Sequence, residues 1–283
     1  MACCKHDGTE EPKLTIQIVC PENEEEQKKL FSEVRDAGFD GVELHISPEM
    51  AGSPTSLISL REQLSNKGLC ITQIATGKEA GKKHLSMCSN DKELRKKTAD
   101  FLNGQIELAA AFGAGLILGT VKGNDLGDEA GLRENFVSSL KHTCDEARKC
   151  GVAIYLEATN HNETRFANTL SEAAAMIREV DAADTAKILP DTYHMNIEEA
   201  DPIAALVKIR GMYDEIHLSD NNRGLPGFGG IDFYRYLSFL EEEQCIRFWG
   251  FEGNIHSYTE DLATSNQLIR SELQSIRLRR TFL

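Results

Sequence analysis

Four ionisable side chains occupy the same kind of position in the second half of the sequence, each at the end of an apolar stretch. They are Glu157, Asp191, His217 and Glu252. If these stretches are parallel strands closed into a barrel, their carboxyl ends lie on one rim and the side chains converge there. Carboxylates gathered in a partly dry pocket repel each other unless a cation lies among them. The pattern therefore indicates a divalent metal site, whose oxygen-rich ligands suit Mn²⁺, Mg²⁺ or Co²⁺ better than a structural Zn²⁺.

Short apolar runs alternate with helical stretches along the chain and supply the elements that would position these side chains. We predict strands at 14–20, 41–46, 69–75, 115–120, 152–157, 187–191, 213–219 and 247–252. Strands that alternate with helices form right-handed βαβ units and a parallel sheet. Gly38 and Gly113 follow helical stretches directly before a strand, as helix-ending glycines do. A doubly wound open sheet has the same local pattern, but eight runs favour a closed (β/α)₈ TIM barrel.

The length and composition fit one large domain. The chain has 283 residues, 41% of them hydrophobic, and no linker or low-complexity run divides it. Residues 1–13 are polar, lack the apolar run of a signal peptide, and are predicted to be a mobile N-terminal tail. Residues 14–283 are then a single TIM-barrel domain.

Charge and cysteine usage exclude several classes of partner and site. The net charge of −14 opposes binding to nucleic acid and to anionic membrane surfaces, and no run is long enough to span a membrane. The eight cysteines form no Cys-x-x-Cys pair and are scattered, as reduced thiols of a cytoplasmic protein would be. These features leave a small, uncharged substrate as the expected partner.

Several strings in the second half resemble a known family. They are Leu-Glu-Ala-Thr-Asn at 156–160, Asp-Thr-Tyr-His-Met-Asn-Ile-Glu-Glu at 191–199, His-Leu-Ser-Asp-Asn-Asn-Arg at 217–223, Pro-Gly at 226–227, Ile-Asp at 231–232 and Phe-Glu-Gly at 251–253. Together they resemble the xylose-isomerase-like TIM-barrel superfamily, and within it the D-tagatose/D-psicose 3-epimerase group. The resemblance covers residues 150–255, whereas the first half adds only the general barrel pattern.

The resemblance implies a role for each matching residue. It implies one divalent metal ion, with Mn²⁺ expected and Mg²⁺, Co²⁺ or Zn²⁺ as alternatives, held by Glu157, Asp191, His217 and Glu252. It also implies that Glu157 and Glu252 are the catalytic acid and base, and that Glu163, His194 and Arg223 bind substrate. The chain departs from the group between Glu157 and Glu163, where Ala-Thr-Asn-His-Asn lacks the usual Arg-Phe pair. This departure and the unmatched first-half loops leave the sugar unidentified.

The expected function is a metal-dependent isomerase or epimerase of a ketose or a related small hydroxy-carbonyl sugar. Such an enzyme would act by proton abstraction through an enediolate, with a base whose pKa burial raises. The alternative is a metal-dependent dehydratase of an inosose or keto-sugar, which would begin with the same step. An endonuclease on this barrel would need further histidines that this sequence lacks, and the complete ligand set argues against a non-catalytic barrel. We expect a homodimer or homotetramer.

Two polar residues at the end of the second predicted strand, Glu43 and His45, have no assigned role. Both could face the pocket, although one of them could instead belong to the core or the rim. The sequence leaves these alternatives open.

Overall fold

The computed structural model describes residues 12–243 and 246–281. Within them, eight parallel strands form one sheet: β1 (Lys13–Val19), β2 (Gly41–His45), β3 (Cys70–Ala75), β4 (Gly115–Leu118), β5 (Ile154–Glu157), β6 (Ala186–Leu189), β7 (Glu215–Leu218) and β8 (Phe248–Phe251). Their order around the sheet is β6-β5-β4-β3-β2-β1-β8-β7. The sheet closes between β6 and β7, where Asp191 pairs with His217 and the His217 amide donates to the Pro190 carbonyl at 2.8 Å. The predicted TIM barrel is confirmed.

At least one helix follows each strand. The helices described are α1 (Glu24–Asp36), α2 (Pro48–Ala51), α3 (Pro54–Asn66), α4 (Gly77–Lys82), α5 (Lys92–Phe112), α6 (Glu129–Cys150), α7 (Leu170–Glu179), α8 (Thr192–Glu198), α9 (Pro202–Lys208), α10 (Phe233–Leu240) and α11 (Tyr258–Thr281), with a 3₁₀ turn at Thr120–Lys122. Helix α5 ends at Gly113, whose φ of 67° is the left-handed conformation that glycine adopts without strain. The chain can therefore reverse directly into β4.

The two faces of each strand pack in different environments, because successive side chains point to opposite sides. Outward residues such as Leu116, Leu156 and Ile188 belong to the large core between barrel and helices. Inward residues form a small separate apolar cluster of Ala75, Ile117, Tyr155 and Leu189. Buried polar residues of the strands, among them Thr15, Glu43, Gln73 and Glu215, are joined by hydrogen bonds.

The predicted N-terminal tail, residues 1–13, lies almost entirely outside the described residues. Only its end is covered, and there Lys13 is already the first residue of β1. Cys3, Cys4 and Cys245 are also outside the described residues, whereas Cys20, Cys88, Cys144 and Cys150 are free thiols. None of the helices described is both long and apolar enough to cross a bilayer.

Candidate metal centre and active site

The four predicted metal ligands converge at the carboxyl end of the barrel. Each offers one ligand atom, and these atoms lie within 4.8 Å of one another. Glu157 is the last residue of β5 and His217 lies within β7, while Asp191 and Glu252 follow β6 and β8. All but Glu252 are buried, and the Glu252 side chain is 18% exposed. The shared strand-end position therefore brings the four side chains together, and their role as metal ligands stays a prediction.

His217 is the centre of the hydrogen-bond network at this site. Its Nδ1 lies 2.8 Å from Glu252 Oε2 and 3.8 Å from Asp191 Oδ2, and its Nε2 lies 2.8 Å from Glu43 Oε2. Burial lowers the pKa of this imidazole, but the negative charges of Glu43 and Glu252 outweigh burial, so the pKa is raised well above its usual value. The surrounding carboxylates thus attract positive charge to this point.

The pKa values of the two carboxylates Asp191 and Glu252 shift in opposite directions. Burial raises the pKa of Asp191 to about 7. The positive charges of His194 and His217 lower this pKa, whereas the negative charges of Glu252 and Glu157 raise it further. Burial also favours the neutral form of Glu252, but the hydrogen bond from His217 outweighs it and lowers the pKa below its usual value. The expectation that burial raises the pKa of the catalytic base is therefore wrong for Glu252, because His217 stabilises its charged form.

Two buried atoms at the site have no hydrogen-bond partner among the described residues. They are Glu157 Oε1 and His194 Nε2, which lie 3.4 Å apart. A Cβ atom at Gly119 would lie 2.2 Å from Glu157 Oε2, so glycine leaves the space that this carboxylate occupies. Unpaired buried polar groups are costly unless a ligand satisfies them. Carboxylate oxygens and one imidazole nitrogen fit a divalent cation such as Mn²⁺.

The three predicted substrate-binding residues lie beside the metal ligands. Arg223 forms an ion pair with Glu163, lies 3.9 Å from Glu252 Oε1, and places its guanidinium 4.8 Å from the centre of the Tyr193 ring. His194 Nδ1 accepts the Asn160 amide hydrogen at 3.1 Å, so Nε2 carries the proton and is a donor. Arg223 and His194 thus offer donors next to the candidate metal centre. Their binding of substrate stays a prediction.

Arg223 has a backbone conformation that supports a functional role. Its φ of 60° is in the left-handed region, which is uncommon and costly for a residue with a side chain. The surroundings hold this conformation, because the Arg223 amide donates to the Asp220 carbonyl at 2.9 Å and its carbonyl accepts from Asn254 at 2.7 Å. The guanidinium is therefore held at the rim before any ligand binds.

We expect Arg223→Ala to lower kcat/KM by about 10- to 100-fold, since hydrogen bonds to charged groups contribute about 1.5–3 kcal/mol. The metal content should stay unchanged, because Arg223 is a donor and not a ligand. Steady-state kinetics and elemental analysis of the same preparation would measure both. Arg133→Ala is the matched control, since Arg133 also pairs with a glutamate but does so on the outer surface of the barrel. Loss of metal from Arg223→Ala would contradict the assigned role.

A cavity of about 550 Å³ opens above the candidate metal centre. Glu157, Arg223 and Glu252 line one side of it. First-half strands and loops supply much of the remaining lining, namely Gln17, Ile18, Val19, His45, Ala75, Thr76, Gly77, Lys78, Ile117, Gly119 and Thr120. This volume is typical of small-molecule sites, which measure about 300–1,000 Å³. The first half of the chain, which carries no recognised motif, therefore contributes much of the pocket wall.

The structure resolves the alternatives for Glu43 and His45. Residues two apart on a strand point to the same face, so both side chains point into the barrel at different depths. His45 lines the cavity and lies 3.0 Å from Gln17 Oε1 through its Nε2. Glu43 is fully buried below His217 and does not line the cavity. Sequence reasoning gave Glu43 no role, and its position within an apolar strand was the only available signal.

Lys122, in the turn after β4, is a second functional candidate that no sequence motif marks. It is fully buried and donates to the carbonyl oxygens of Glu157 at 2.6 Å and Ala167 at 2.9 Å. Burial lowers its pKa to about 7. Lys122 thus fixes the backbone at the end of β5, where the Glu157 side chain enters the site.

Comparisons with known proteins agree with the fold. Residues 31–278 match the family model of the xylose isomerase-like TIM barrel. The chain is 29% identical to the D-psicose 3-epimerase of Enterocloster bolteae over 234 residues, which cover 80% of this chain and 74% of that protein. It is 28% identical to the L-ribulose 3-epimerase of Mesorhizobium japonicum over 213 residues, which cover 74% of this chain and 69% of the relative.

A solved structure of an L-ribulose 3-epimerase superposes with a TM-score of 0.81 at 21% identity, covering 96% of this chain and 98% of that one. At this level of identity the similarity shows the fold. The family match covers most of the chain and includes all four strand ends that carry the candidate metal ligands. The chain belongs to the xylose isomerase-like TIM barrel family.

Proposed function

We propose that this protein is a divalent-metal-dependent epimerase of ketoses that moves a proton at the carbon next to the substrate's carbonyl. The observation that carries the proposal is the meeting of two carboxylates from separate strands, Glu157 and Glu252, within one cluster that fits a cation. The relatives named above are ketose 3-epimerases, and this supports the same reaction class here.

Each residue of the site has a defined task in this reaction. A divalent cation held by Glu157, Asp191, His217 and Glu252 would supply Lewis-acid stabilisation of negative charge on the substrate's oxygens. One of the two glutamates removes the proton next to the carbonyl, and the other returns a proton to the opposite face of that carbon. Arg223 and the Nε2–H of His194 donate hydrogen bonds to the oxygens of the enediolate that forms between these steps.

The dehydratase alternative shares the first step and differs in the second. After proton abstraction, a dehydratase expels a hydroxyl group instead of returning the proton. The relatives are named as epimerases, so this alternative is not favoured.

Three finer properties belong to the same proposal. The proposed ion is Mn²⁺, with Mg²⁺, Co²⁺ and Zn²⁺ as alternatives, because oxygen ligands predominate in the cluster. The proposed location is the cytoplasm, where the free thiols found among the described cysteines stay reduced. The proposed assembly is a homodimer or homotetramer, which light scattering in solution would test.

The experiment that tests the function is a panel of free ketoses, phosphorylated ketoses and inosose-like compounds, incubated with the protein and Mn²⁺ in D₂O. We expect a ketose to give its epimer with solvent deuterium at the reacting carbon. A product that keeps the substrate's own hydrogen would indicate a hydride shift and contradict the mechanism. A product that has lost water would move the assignment to the dehydratase.

A further inference from the structure

Glu43 has the environment of a residue that acts on the metal centre through His217. The carboxylate is fully buried and has a partner for each oxygen: Oε2 lies 2.8 Å from His217 Nε2, and Oε1 accepts a hydrogen bond from Thr15 Oγ1 at 2.8 Å. The two contacts join three different strands, β2 to β7 and β1 to β2. The barrel itself therefore fixes the position of this carboxylate.

Strand β8, which lies between β1 and β7 in the sheet, leaves space for this pair of side chains. Gly250 is the third residue of β8, and a Cβ atom there would lie 2.2 Å from Glu43 Oε1 and 2.8 Å from His217 Cδ2. The flanking residues of the strand, Trp249 and Phe251, are large and fully buried in the outer core. A glycine between them is thus explained by the room that Glu43 and His217 need inside the barrel.

The geometry determines which nitrogen of His217 is free to bind a cation. A carboxylate only accepts hydrogen bonds, so the contact with Glu43 requires the proton on Nε2. Nδ1 faces Glu252 and Asp191 and donates to Glu252 Oε2 at 2.8 Å while no cation is bound. A cation held by Glu252 and Asp191 would take the place of this proton, and the neutral imidazole would keep its proton on Nε2. Carboxylates that hold the second nitrogen of a metal-bound histidine fix the orientation of its ring and increase its basicity.

A second ion below His217 is a weaker reading of the same cluster. Glu43, Glu215 and His217 also lie close enough to hold a cation. Such an ion would lie away from the cavity, because Glu157 and Glu252 line the cavity whereas Glu43 and Glu215 do not. Glu215 makes its hydrogen bond to Gln73 instead of to His217.

We propose that Glu43 is a positioning residue, which keeps the proton of His217 on Nε2 and directs Nδ1 toward the cation, with Thr15 holding Glu43 in place. The proposal rests on the metal centre of the proposed function. It concerns metal affinity and not the identity of the substrate, so the two proposals can fail separately.

The test compares two isosteric substitutions, Glu43→Gln and Glu215→Gln. Both replace a fully buried glutamate of the barrel interior, but only Glu43 contacts His217. Competition with a chelator would measure the Mn²⁺ dissociation constant of each folded variant. We expect Glu43→Gln to raise this constant by about 10- to 100-fold, as the loss of comparable carboxylate partners does, and Glu215→Gln to leave it unchanged. Equal constants in the two variants would overturn the proposal.

A second readout reports the proton on His217 in the metal-bound protein. In ¹⁵N-histidine-labelled protein loaded with diamagnetic Mg²⁺, the chemical shifts of His217 should identify Nε2 as the protonated nitrogen in the unsubstituted chain and a mixed population in Glu43→Gln. A proton mainly on Nδ1 in the unsubstituted chain would also overturn the proposal.

If Glu43→Gln does not fold, Thr15→Val tests whether the position of Glu43 affects Mn²⁺ binding. This change keeps the side-chain shape and removes the hydroxyl that donates to Glu43. A weaker affinity for Mn²⁺ would support the proposal, and an unchanged affinity would contradict it. Dependence of Mn²⁺ binding on Glu43 in a protein that epimerises no ketose would leave the inference standing and refute the proposed function.

Discussion

Asp191→Asn is expected to weaken Mn²⁺ binding by about 100-fold or more while the barrel stays folded. The carboxylate is buried among the other ligands, so its loss removes a negative charge from the point where a cation would bind. Outer partners of metal ligands already contribute about 10- to 100-fold to affinity, and a ligand should contribute at least as much. Isothermal titration with Mn²⁺ and elemental analysis of the purified protein would measure the loss.

Asparagine is the better replacement because Asp191 has a second function. Its Oδ1 accepts the amide hydrogens of Tyr193 at 2.6 Å and His194 at 3.4 Å, and it thereby caps the N-terminus of α8. Asp191→Ala would remove this cap together with the ligand, and the loss of a cap costs about 0.5–2 kcal/mol. The side-chain oxygen of asparagine keeps the cap, so a loss of metal can be assigned to the charge.

Asp201→Asn is the matched control for this substitution. Asp201 caps α9 through the amides of Ile203 and Ala204, in the same way that Asp191 caps α8, but it is exposed. We expect this variant to bind Mn²⁺ like the unsubstituted chain. Metal content that is equal in Asp191→Asn and Asp201→Asn would rule out Asp191 as a ligand.

The fold could be predicted from the sequence because its signals are local. Apolar strands, helix-ending glycines and polar helices recur within each βα unit, and each predicted strand overlaps an observed one. The position of the site followed from the same pattern, since Glu157 ends β5 and His217 lies one residue before the end of β7. A residue at the carboxyl end of a barrel strand is necessarily on the rim.

The depth of a side chain inside the barrel could not be predicted in this way. Glu43 and His45 both point inward. The neighbours that each side chain meets depend on the stagger between strands, which pairs Gln17 with Glu43 and Val19 with His45. The register between β2 and β3 also shifts at Val42 and Glu43. Such offsets depend on how the whole sheet closes, so no local pattern reveals that Glu43 reaches His217.

The lowered pKa of Glu252 also depends on a contact between strands that no local sequence pattern reveals. A carboxylate that is buried near other carboxylates is expected to have a raised pKa, and Asp191 shows this effect. Glu252 differs because His217 Nδ1 lies 2.8 Å from its Oε2. The partner comes from another strand, and the sequence does not specify which of the three carboxylates the histidine contacts.

Glu157→Gln and Glu252→Gln are each expected to lower the rate of epimerisation by about 10²- to 10⁴-fold, the usual contribution of a general acid or base. Glutamine keeps an oxygen that can face the cation but cannot remove a proton from carbon. Both variants should be assayed at saturating Mn²⁺ with their metal occupancy measured, because both residues are also candidate ligands. A loss of activity at full occupancy then reports the proton transfer itself.

The two variants should differ in the hydrogen exchange that they retain. If the glutamates address opposite faces of one carbon, a variant with one of them can still remove a proton from one epimer and return deuterium from D₂O to the same face. We therefore expect Glu157→Gln to exchange only one epimer and Glu252→Gln only the other, with neither interconverting them at a substantial rate. Nuclear magnetic resonance of each pure epimer in D₂O would follow this exchange. Exchange of the same epimer by both variants would mean that a single base acts on one face, and the assignment of two opposed glutamates would be wrong.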